Sequence, residues 1–273
     1  MMRKSSVRVP RALVRKDGGS RGERSIPEET PVAFTYGRKT YAVMMATPAD
    51  LEDFAYGFSF TERIIERAGD IASLDVVEVA KGIELRMELA RDCSAHLEGR
   101  ARRFAGPAGC GLCGIESLEE AVVSPPALAA KLKVDSQAIF RAMTDLRKHQ
   151  PVNDETRGVH AAGFWSLKKN AFVAVREDVG RHNALDKLAG ALVRANVDPT
   201  EGFLALTSRV SIELVQKAAI LGCPVLVAIS VPTALALRTA DAANMTLAAI
   251  ARDDSFEIFT HPERIEVSAH ALV

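Results

Sequence analysis

The chain has 273 residues, of which 48% are hydrophobic and 26% charged, as is usual for a globular protein with one large or two ordinary domains. Lys and Arg together number 35, as do Asp and Glu, so the net charge excludes a general attraction to nucleic acid or anionic membranes. No apolar run reaches the roughly 18 residues that a membrane-spanning helix needs. Four cysteines in so long a chain do not form a disulfide framework, so we expect a reducing, cytoplasmic compartment.

Residues 1–28 are rich in Lys and Arg. Asp17 and Glu23 are the carboxylates of residues 1–25, and no apolar core of a secretory signal is present. This composition predicts a flexible basic arm. Its cations are Arg3, Lys4, Arg8, Arg11, Arg15, Lys16, Arg21 and Arg24.

The next segment combines hairpins with one helix. Strands are predicted at 32–36 and 41–46, on either side of a Gly-Arg turn. A helix is predicted to follow with Thr47 as its N-cap, because a proline comes next and suits the first helical position. A second hairpin joins 75–80 to 83–89, where strict alternation is typical of a strand with one wet face. The segment is therefore α+β with antiparallel strands.

The segment Gly109-Cys110-Gly111-Leu112-Cys113-Gly114 sets two cysteines three positions apart among glycines. Each glycine costs a helix about 1 kcal/mol relative to alanine, so a mobile loop that presents thiols is predicted. A thioredoxin-like site is disfavoured, because residues 103–107 do not form the strand pattern that should precede it.

Thiolates are nucleophiles and soft metal ligands, and the spacing leaves two functions equally open. In a persulfide carrier, one thiolate takes the outer sulfur of a donor persulfide, and the neighbouring cysteine displaces it by forming a disulfide. In a structural zinc site, Cys93 and His96 would join Cys110 and Cys113 as ligands. Cys223 opens an apolar strand and is expected to be a buried small hydrophobe.

In the second half of the chain, predicted strands and helices alternate. A helix is expected from residue 135 or 136 to just before Pro151. The alternation that follows predicts a sheet with parallel strands and helices on its faces. The strands are predicted at 159–165, 171–176, 203–207, 224–230, 246–251 and 256–260, and the helices at 182–195, 211–221 and 233–243.

Three strand-to-helix turns of this half carry polar residues. Carboxyl ends of parallel strands meet at one sheet edge, where helix N-termini attract phosphate. Arg181, Arg209 and Lys187 could add charge-assisted hydrogen bonds, which predicts a crevice for a phosphorylated, nucleotide-like ligand. The alternative is that the polar residues are simply helix caps. The turns are residues 176–183, 207–211 and 230–233.

His160 lies in an apolar strand and is followed by Ala161 and Ala162. In a zinc deaminase, His-x-Glu supplies a metal ligand and the residue that moves protons, and Pro-Cys-x-x-Cys follows. Ala162 stands at the position of that glutamate and no such cysteine pair follows, so deaminase chemistry is excluded. A half-buried structural imidazole is expected instead.

Six segments carry a resemblance to a known family. They are Cys110-Gly-Leu-Cys113-Gly114, Gly158-Val-His160-Ala-Ala162, Val175-Arg-Glu-Asp-Val-Gly-Arg-His-Asn-Ala-Leu-Asp-Lys187, Arg209-Val-Ser-Ile-Glu-Leu-Val-Gln-Lys217, Pro232-Thr233 and Thr260-His-Pro-Glu-Arg264. Through them the chain, from about residue 30 to 265, resembles the formate dehydrogenase accessory sulfurtransferase family, FdhD. One departure is Thr207-Ser208-Arg209, where the family pattern has Ser-Gly-Arg, so the backbone there is expected to approach a ligand less closely.

The resemblance implies a sulfurtransferase-type sulfur carrier. Such proteins take sulfur from a cysteine desulfurase and pass it to the Mo-bis-molybdopterin guanine dinucleotide cofactor before it enters formate dehydrogenase. By position, Cys110 would bear the persulfide and Cys113 would be its partner. The resemblance also implies a homodimer, no permanently bound metal, and a second half like cytidine deaminase without its zinc site.

The family's cofactor-contacting segment near the C-terminus falls, by the resemblance, on Ile250, Ala251, Arg252, Asp253, Asp254 and Ser255. Arg252 is its obvious phosphate or guanine contact. Arg181, His182 and Arg209 complete the predicted cofactor-binding set.

The predicted fold class is α/β, or α+β overall, in three parts. Residues 1–28 form the flexible arm, 29–130 the α+β domain that ends in the cysteine loop, and 131–273 the deaminase-like α/β domain. Two alternatives to the sulfur carrier remain at this stage. One is the structural zinc protein, and the other is a non-catalytic nucleotide-binding accessory protein.

Overall fold

The computed structural model describes residues 3–90, 125–129, 131–252 and 254–267. In the first half the elements are β1 (Ser6–Arg15), β2 (Gly18–Pro27), β3 (Thr30–Tyr36), β4 (Lys39–Ala46), α1 (Leu51–Thr61), β5 (Ile71–Val79) and β6 (Gly82–Leu89). In the second half they are β7 (Val134–Asp135), α2 (Ser136–Leu146), α3 (Pro151–Thr156), β8 (His160–Ser166), β9 (Ala171–Asp178), α4 (Arg181–Arg194), β10 (Gly202–Leu206), α5 (Ile212–Leu221), β11 (Val225–Ala228), α6 (Ala234–Ala242), β12 (Thr246–Ala249), β13 (Glu257–Thr260) and β14 (Ile265–Glu266).

The mixed α/β class is confirmed, and the alternating elements after residue 159 lie within two residues of their predicted bounds. The preceding helical region ends before Pro151, as predicted, and Pro151 itself begins the short helix α3. No helix in the described ranges is long and apolar enough to cross a membrane. The likeness of the second half to cytidine deaminase stays a prediction.

The first-half sheet has the strand order β4-β3-β6-β5 and packs one face against α1. Its core is aromatic, since the ring of Phe34 stacks on Phe58 at 4.0 Å and meets the edge of Phe54 at 4.9 Å. The prediction that this sheet is antiparallel is confirmed for the pairs β4–β3 and β6–β5 but is wrong for the central pair. Strands β3 and β6 are parallel, because α1 crosses from one hairpin to the other and returns the chain in the same direction.

The predicted N-cap of α1 is wrong. The helix begins at Leu51 after Asp50, which adopts a left-handed conformation with φ 52° and offers no side-chain cap. Thr47 instead contacts β9 and the turn after it, donating its backbone N–H to Asp178 Oδ2 at 2.9 Å and accepting from Val179 N at 3.1 Å. A long-range contact has taken the side chain that local sequence assigns to the helix.

The second-half sheet has six strands in the order β13-β12-β11-β10-β8-β9. Among its described strands, β10, β11 and β12 pair in parallel, whereas β8, β9 and β13 run antiparallel to their neighbours. The prediction of parallel strands is thus confirmed for three of them. A short turn between β8 and β9, and another short connection after β12, force those pairs into antiparallel order.

Helices cover both faces of this sheet. Alternate residues of its strands face α4, α5 and α6 in one core cluster, represented by Leu188, Leu214 and Leu204. The intervening residues face α2 in a second cluster, represented by Ile139 and Phe203. The polar edge of the sheet is thereby held between rigid layers.

Helix α1 joins the two sheets by packing on α4. Gly57 and Gly190 lie at the crossing, where a Cβ atom on Gly57 would meet the Asp186 backbone oxygen at 1.6 Å. Beside the crossing, the Asp186 carboxylate accepts hydrogen bonds from Thr61 Oγ1 at 2.6 Å and Lys217 Nζ at 2.8 Å. The first-half sheet is therefore fixed to the helix that opens at the polar edge.

Residues 6–27 form an antiparallel hairpin, so the prediction of a flexible arm at residues 1–28 is wrong for this stretch. Lys16 and Asp17 form a two-residue loop before Gly18, whose φ of 145° suits glycine. Asp-Gly is a strong hairpin signal, and the many cations of the segment concealed it. The base of the hairpin is held by Ser6 and Ser25, whose hydroxyls donate to the Glu155 carboxylate of α3 at 2.8 and 2.9 Å.

Candidate functional site

Strands β9, β10, β11 and β12 end at one edge of the second-half sheet, and the three predicted turns lie together there. The start of β8 lies between the first and second turns. On one side His160 pairs with Asp178, and on the other Ala161 O accepts a hydrogen bond from Thr207 N at 3.1 Å. The second and third turns are joined by Val210 N, which donates to Val231 O at 3.2 Å. The predicted strand-edge cluster thus exists in the fold.

Arginine side chains give this edge a positive charge. Arg181 is partly exposed, whereas Arg209 and Arg252 are exposed. In the part of the chain that the structure describes, none of the three forms an ion pair. Burial first, and then the charges of Arg181 and Arg209, hold the pKa of His160 below its ordinary value. An anion placed here would meet cations that no carboxylate of the described residues pairs with.

The helix starts at this edge differ in their capping. Thr233 caps α6, because its hydroxyl accepts a hydrogen bond from Ala236 N at 3.2 Å. The N-cap of α4 is Gly180, and the N-cap of α5 is Ser211, which makes no capping hydrogen bond. The α5 start already carries the carboxylate of Glu213 in its first turn. The start of α4 has Arg181 as its first residue and no acid in its first turn, so it is the better candidate for an anion of the two starts without a side-chain cap.

His182 lies beneath the surface of the edge, with 6% of its area exposed. Its Nε2 is 3.4 Å from Ser211 Oγ and 3.7 Å from Glu213 Oε2. Burial raises the pKa of Glu213, but the favourable interaction of its carboxylate with the nearby His182 ring and Ser211 hydroxyl outweighs burial and lowers the value to about 2. The carboxylate is thus ionised at neutral pH, and this group ties the start of α4 to the start of α5.

Lys187 does not face the edge, so its predicted contact with phosphate is wrong. Its ammonium is fully buried, lies 2.6 Å from Asp178 Oδ2, and donates to Thr47 O at 2.8 Å. Asp178 also accepts from Gly180 N at 2.7 Å and from Asn183 Nδ2 at 3.0 Å. The buried pair shapes the turn that presents Arg181, because it fixes both ends of that turn.

The predicted C-terminal segment runs beside the third turn. Ala251 N donates to Ala228 O at 3.0 Å, and Ile250 is left-handed with φ 56°. Arg252 N donates to Ser255 O at 2.9 Å, which folds the exposed end back on itself. The exposed Ser255 donates its hydroxyl to Asp254 at 3.2 Å. Asp253 lies outside the described residues.

The predicted sulfur and zinc chemistry falls on residues outside the described ranges, namely Cys93, His96, Cys110 and Cys113. Among the residues that are described, no group of three or more His, Cys, Asp or Glu could hold a metal ion. Cys223 is fully buried, which raises the pKa of its thiol to about 12 and confirms it as a small hydrophobe.

Two parts of this edge were missed by sequence reasoning. Thr47 reaches it from the first half of the chain, and no local pattern signals a contact over that distance. Glu213 follows the N-cap Ser211 by two positions, where an acid is ordinarily expected to favour the helix dipole. Its contact with His182 depends on the packing of α4 beside α5.

The fold and this edge define an α/β protein whose mixed sheet carries Arg181, Arg209 and Arg252 on the segments that follow the carboxyl ends of its strands. The model of the FdhD/NarQ family matches residues 27–266, and the chain belongs to that family.

Curated relatives match along nearly the whole chain. A protein named sulfur carrier protein FdhD from Agrobacterium fabrum is 53% identical over 259 residues, covering 94% of this chain and 95% of the relative. Proteins of the same name from Brucella abortus and Xanthomonas campestris are 50% and 46% identical, and each match covers at least 92% of both chains. A crystal structure described as a formate dehydrogenase accessory protein from Desulfotalea psychrophila shares the fold. Its TM-score is 0.75 at 24% identity, over 96% of this chain and 99% of that one.

Proposed function

We propose that this protein is a sulfur carrier that takes sulfur from a cysteine desulfurase and delivers it to the Mo-bis-molybdopterin guanine dinucleotide cofactor used by formate dehydrogenase. Curated relatives of up to 53% identity bear the name sulfur carrier protein FdhD. The structural observation that carries the proposal is the strand edge, where Arg181 opens α4 at a start without a side-chain cap and Arg209 and Arg252 are exposed on neighbouring segments, with no ion pair among the described residues. We further propose a cytoplasmic homodimer.

In the first transfer, the Cys110 thiolate attacks the outer sulfur of the donor's persulfide. A new S–S bond forms on Cys110 as the donor's S–S bond breaks, and the electron pair leaves on the donor's cysteine thiolate. One sulfur atom therefore passes from the donor cysteine to Cys110 with no net oxidation or reduction.

In the second transfer, the Cys113 thiolate attacks the inner sulfur of the Cys110 persulfide. The outer sulfur leaves as hydrosulfide for the acceptor, and a disulfide forms between Cys110 and Cys113. A thiol reductant of the cell supplies the two electrons that restore both thiols.

The acceptor's diphosphate and guanine would lie at the strand edge. Arg181 and the free N–H groups of α4 suit one phosphate, and the exposed Arg209 suits its neighbour. Arg252 lies on the segment beside the third turn and is the contact proposed for the remaining phosphate or the guanine. His182, being buried against Glu213, would hold the α4 start in place rather than cover the ligand.

The test is incubation with a purified cysteine desulfurase and L-cysteine, followed by mass spectrometry of the intact chain. Wild type should gain one sulfur atom that a thiol reductant removes, and Cys110→Ala should gain none. Cys113→Ala is the matched control, which should be loaded but release its sulfur slowly. Uptake by Cys110→Ala would show that the assignment is wrong, whereas one tightly held zinc per purified chain would favour the structural zinc alternative.

A further inference from the structure

We propose that one face of the β1–β2 hairpin is the docking surface for the protein that donates sulfur. We infer that the partner presents an apolar strip bordered by Asp and Glu. This inference rests on the sulfur-carrier function proposed above and names where its first partner binds.

The strand register defines the face. Residues directly opposite each other in an antiparallel pair share a face, and alternate residues of each strand follow. Val7 pairs with Ile26, and Val9 with Arg24. We call this the basic–apolar face, and its side chains are Val7, Val9, Arg11, Leu13, Arg15, Ser20, Arg24 and Ile26.

The composition of this face is one-sided, because it has three arginines, four large apolar side chains and no carboxylate. The two acids of the hairpin lie elsewhere, Asp17 in the turn and Glu23 on the opposite face. Val7 and Ile26 are 37% and 38% exposed, although apolar side chains in such strands normally face a core. The face is therefore complementary to a partner surface that is both apolar and acidic.

The cations of this face have no counter-charge within the described chain. Arg11 and Arg15 form no ion pair there, and Arg24 donates to a backbone oxygen, that of Thr156, at 3.2 Å. An isolated two-stranded ribbon is marginally stable in water, yet each strand here has ten residues and would extend over about 33 Å. Such length and charge suit electrostatic steering of a transient partner.

A series of hydrogen bonds connects the hairpin to the strand edge. Its base is held by the Glu155 carboxylate of α3. The start of α3 is held in turn by Glu177 of β9, whose two carboxylate oxygens accept from Val152 N and Asn153 N at 2.9 Å each. Glu177 is adjacent in sequence to Asp178, which shapes the turn that presents Arg181. A protein docked on the hairpin would therefore bind to the same hydrogen-bonded framework that supports the turn presenting Arg181.

The chemistry points to the donor rather than to another partner. Sulfur moves from the donor between two protein thiols, which requires two proteins to meet, whereas the second transfer acts on a ligand held by this chain. Nucleic acid would match the arginines but would leave the apolar strip without a counterpart. A second copy presenting the same face would bring two sets of arginines together with no carboxylate on either face to compensate them.

The test compares two double charge reversals on the same ribbon. Arg11→Glu with Arg15→Glu changes the basic–apolar face, and Lys16→Glu with Arg21→Glu changes the turn and the opposite face by the same charge. Loading by a purified cysteine desulfurase is followed by mass spectrometry over a range of carrier concentrations. The first variant should raise the apparent KM for the carrier by about tenfold with kcat unchanged, and the second should leave both unchanged.

Loading from glutathione persulfide, which needs no protein docking, separates the two proposals. All variants should load equally from this small donor. If wild type takes sulfur from neither donor, the sulfur-carrier function itself fails. If R11E/R15E loads from the desulfurase as well as wild type does, the proposed docking face is wrong. It is also wrong if the two double variants show the same rise in apparent KM for loading by the desulfurase. A change in the sedimentation mass of R11E/R15E would assign the face to a second copy of the chain. Binding of duplex DNA by wild type that is lost in R11E/R15E would assign it to nucleic acid, and either result overturns the proposal.

Discussion

Lys187 Nζ lies 2.6 Å from Asp178 Oδ2, and both side chains are fully buried. The pair joins α4 to the end of β9, and the ammonium also donates to the Thr47 backbone oxygen between β4 and α1. Three separate parts of the chain therefore meet at one ion pair directly beneath the candidate site. Because each charge is removed from water, each depends on the other for compensation.

Lys187→Met should destabilise the protein by about 3–5 kcal/mol, because it leaves the Asp178 carboxylate buried without its cation. The double variant Lys187→Met with Asp178→Asn should lose less unfolding free energy than the single variant, since no uncompensated charge remains. Urea unfolding followed by circular dichroism measures both. Equal losses in the single and double variants would contradict the ion-pair explanation.

The crossing of α1 and α4 tolerates no side chain at Gly57. Gly57→Ala places a methyl group 1.6 Å from a backbone oxygen that cannot rotate away, so the helices must separate. A loss of about 3 kcal/mol or more in unfolding free energy is expected. Gly69→Ala is the control, because nothing lies within 4 Å of its added carbon, and it should change stability little. Comparable losses in both variants would show that the crossing is not tightly packed.

Sequence patterns predicted the second-half elements well, because strands such as β10 are continuous apolar runs between clear helix starts. Tertiary contacts explain what they missed. Thr47 has every local feature of an N-cap, yet its hydroxyl accepts a hydrogen bond from Val179 N instead. Lys187 and Arg181 looked alike as phosphate ligands, and only the fold shows that one is buried while the other is partly exposed. The β1–β2 hairpin was missed because its charges outweighed the Asp17-Gly18 turn signal.

Glu213 makes the stability of the protein depend on acid pH. Its pKa in the folded protein is about 2, against an ordinary value of 4.5, so the folded state favours the carboxylate. The resulting stabilisation is fully present above pH 4.5 and is lost as the pH falls toward 2. In urea unfolding from pH 5.5 to 2.5, wild type should lose on the order of 2 kcal/mol more than Glu213→Gln. Parallel pH profiles would show that the carboxylate is not stabilised by His182 and Ser211.

Arg209 offers the cleanest test of the proposed ligand seat. It is exposed and forms no ion pair among the described residues, so Arg209→Ala should leave the stability of the protein unchanged. If it holds a phosphate, losing a charge-assisted hydrogen bond of about 1.5 kcal/mol should weaken guanosine diphosphate binding about tenfold in calorimetry. Lys168→Ala removes an exposed cation from the β8–β9 turn at the opposite edge of the sheet and should bind as wild type does. Equal affinity in the two variants would place the phosphates away from the second turn, and the difference between them should shrink as salt is raised.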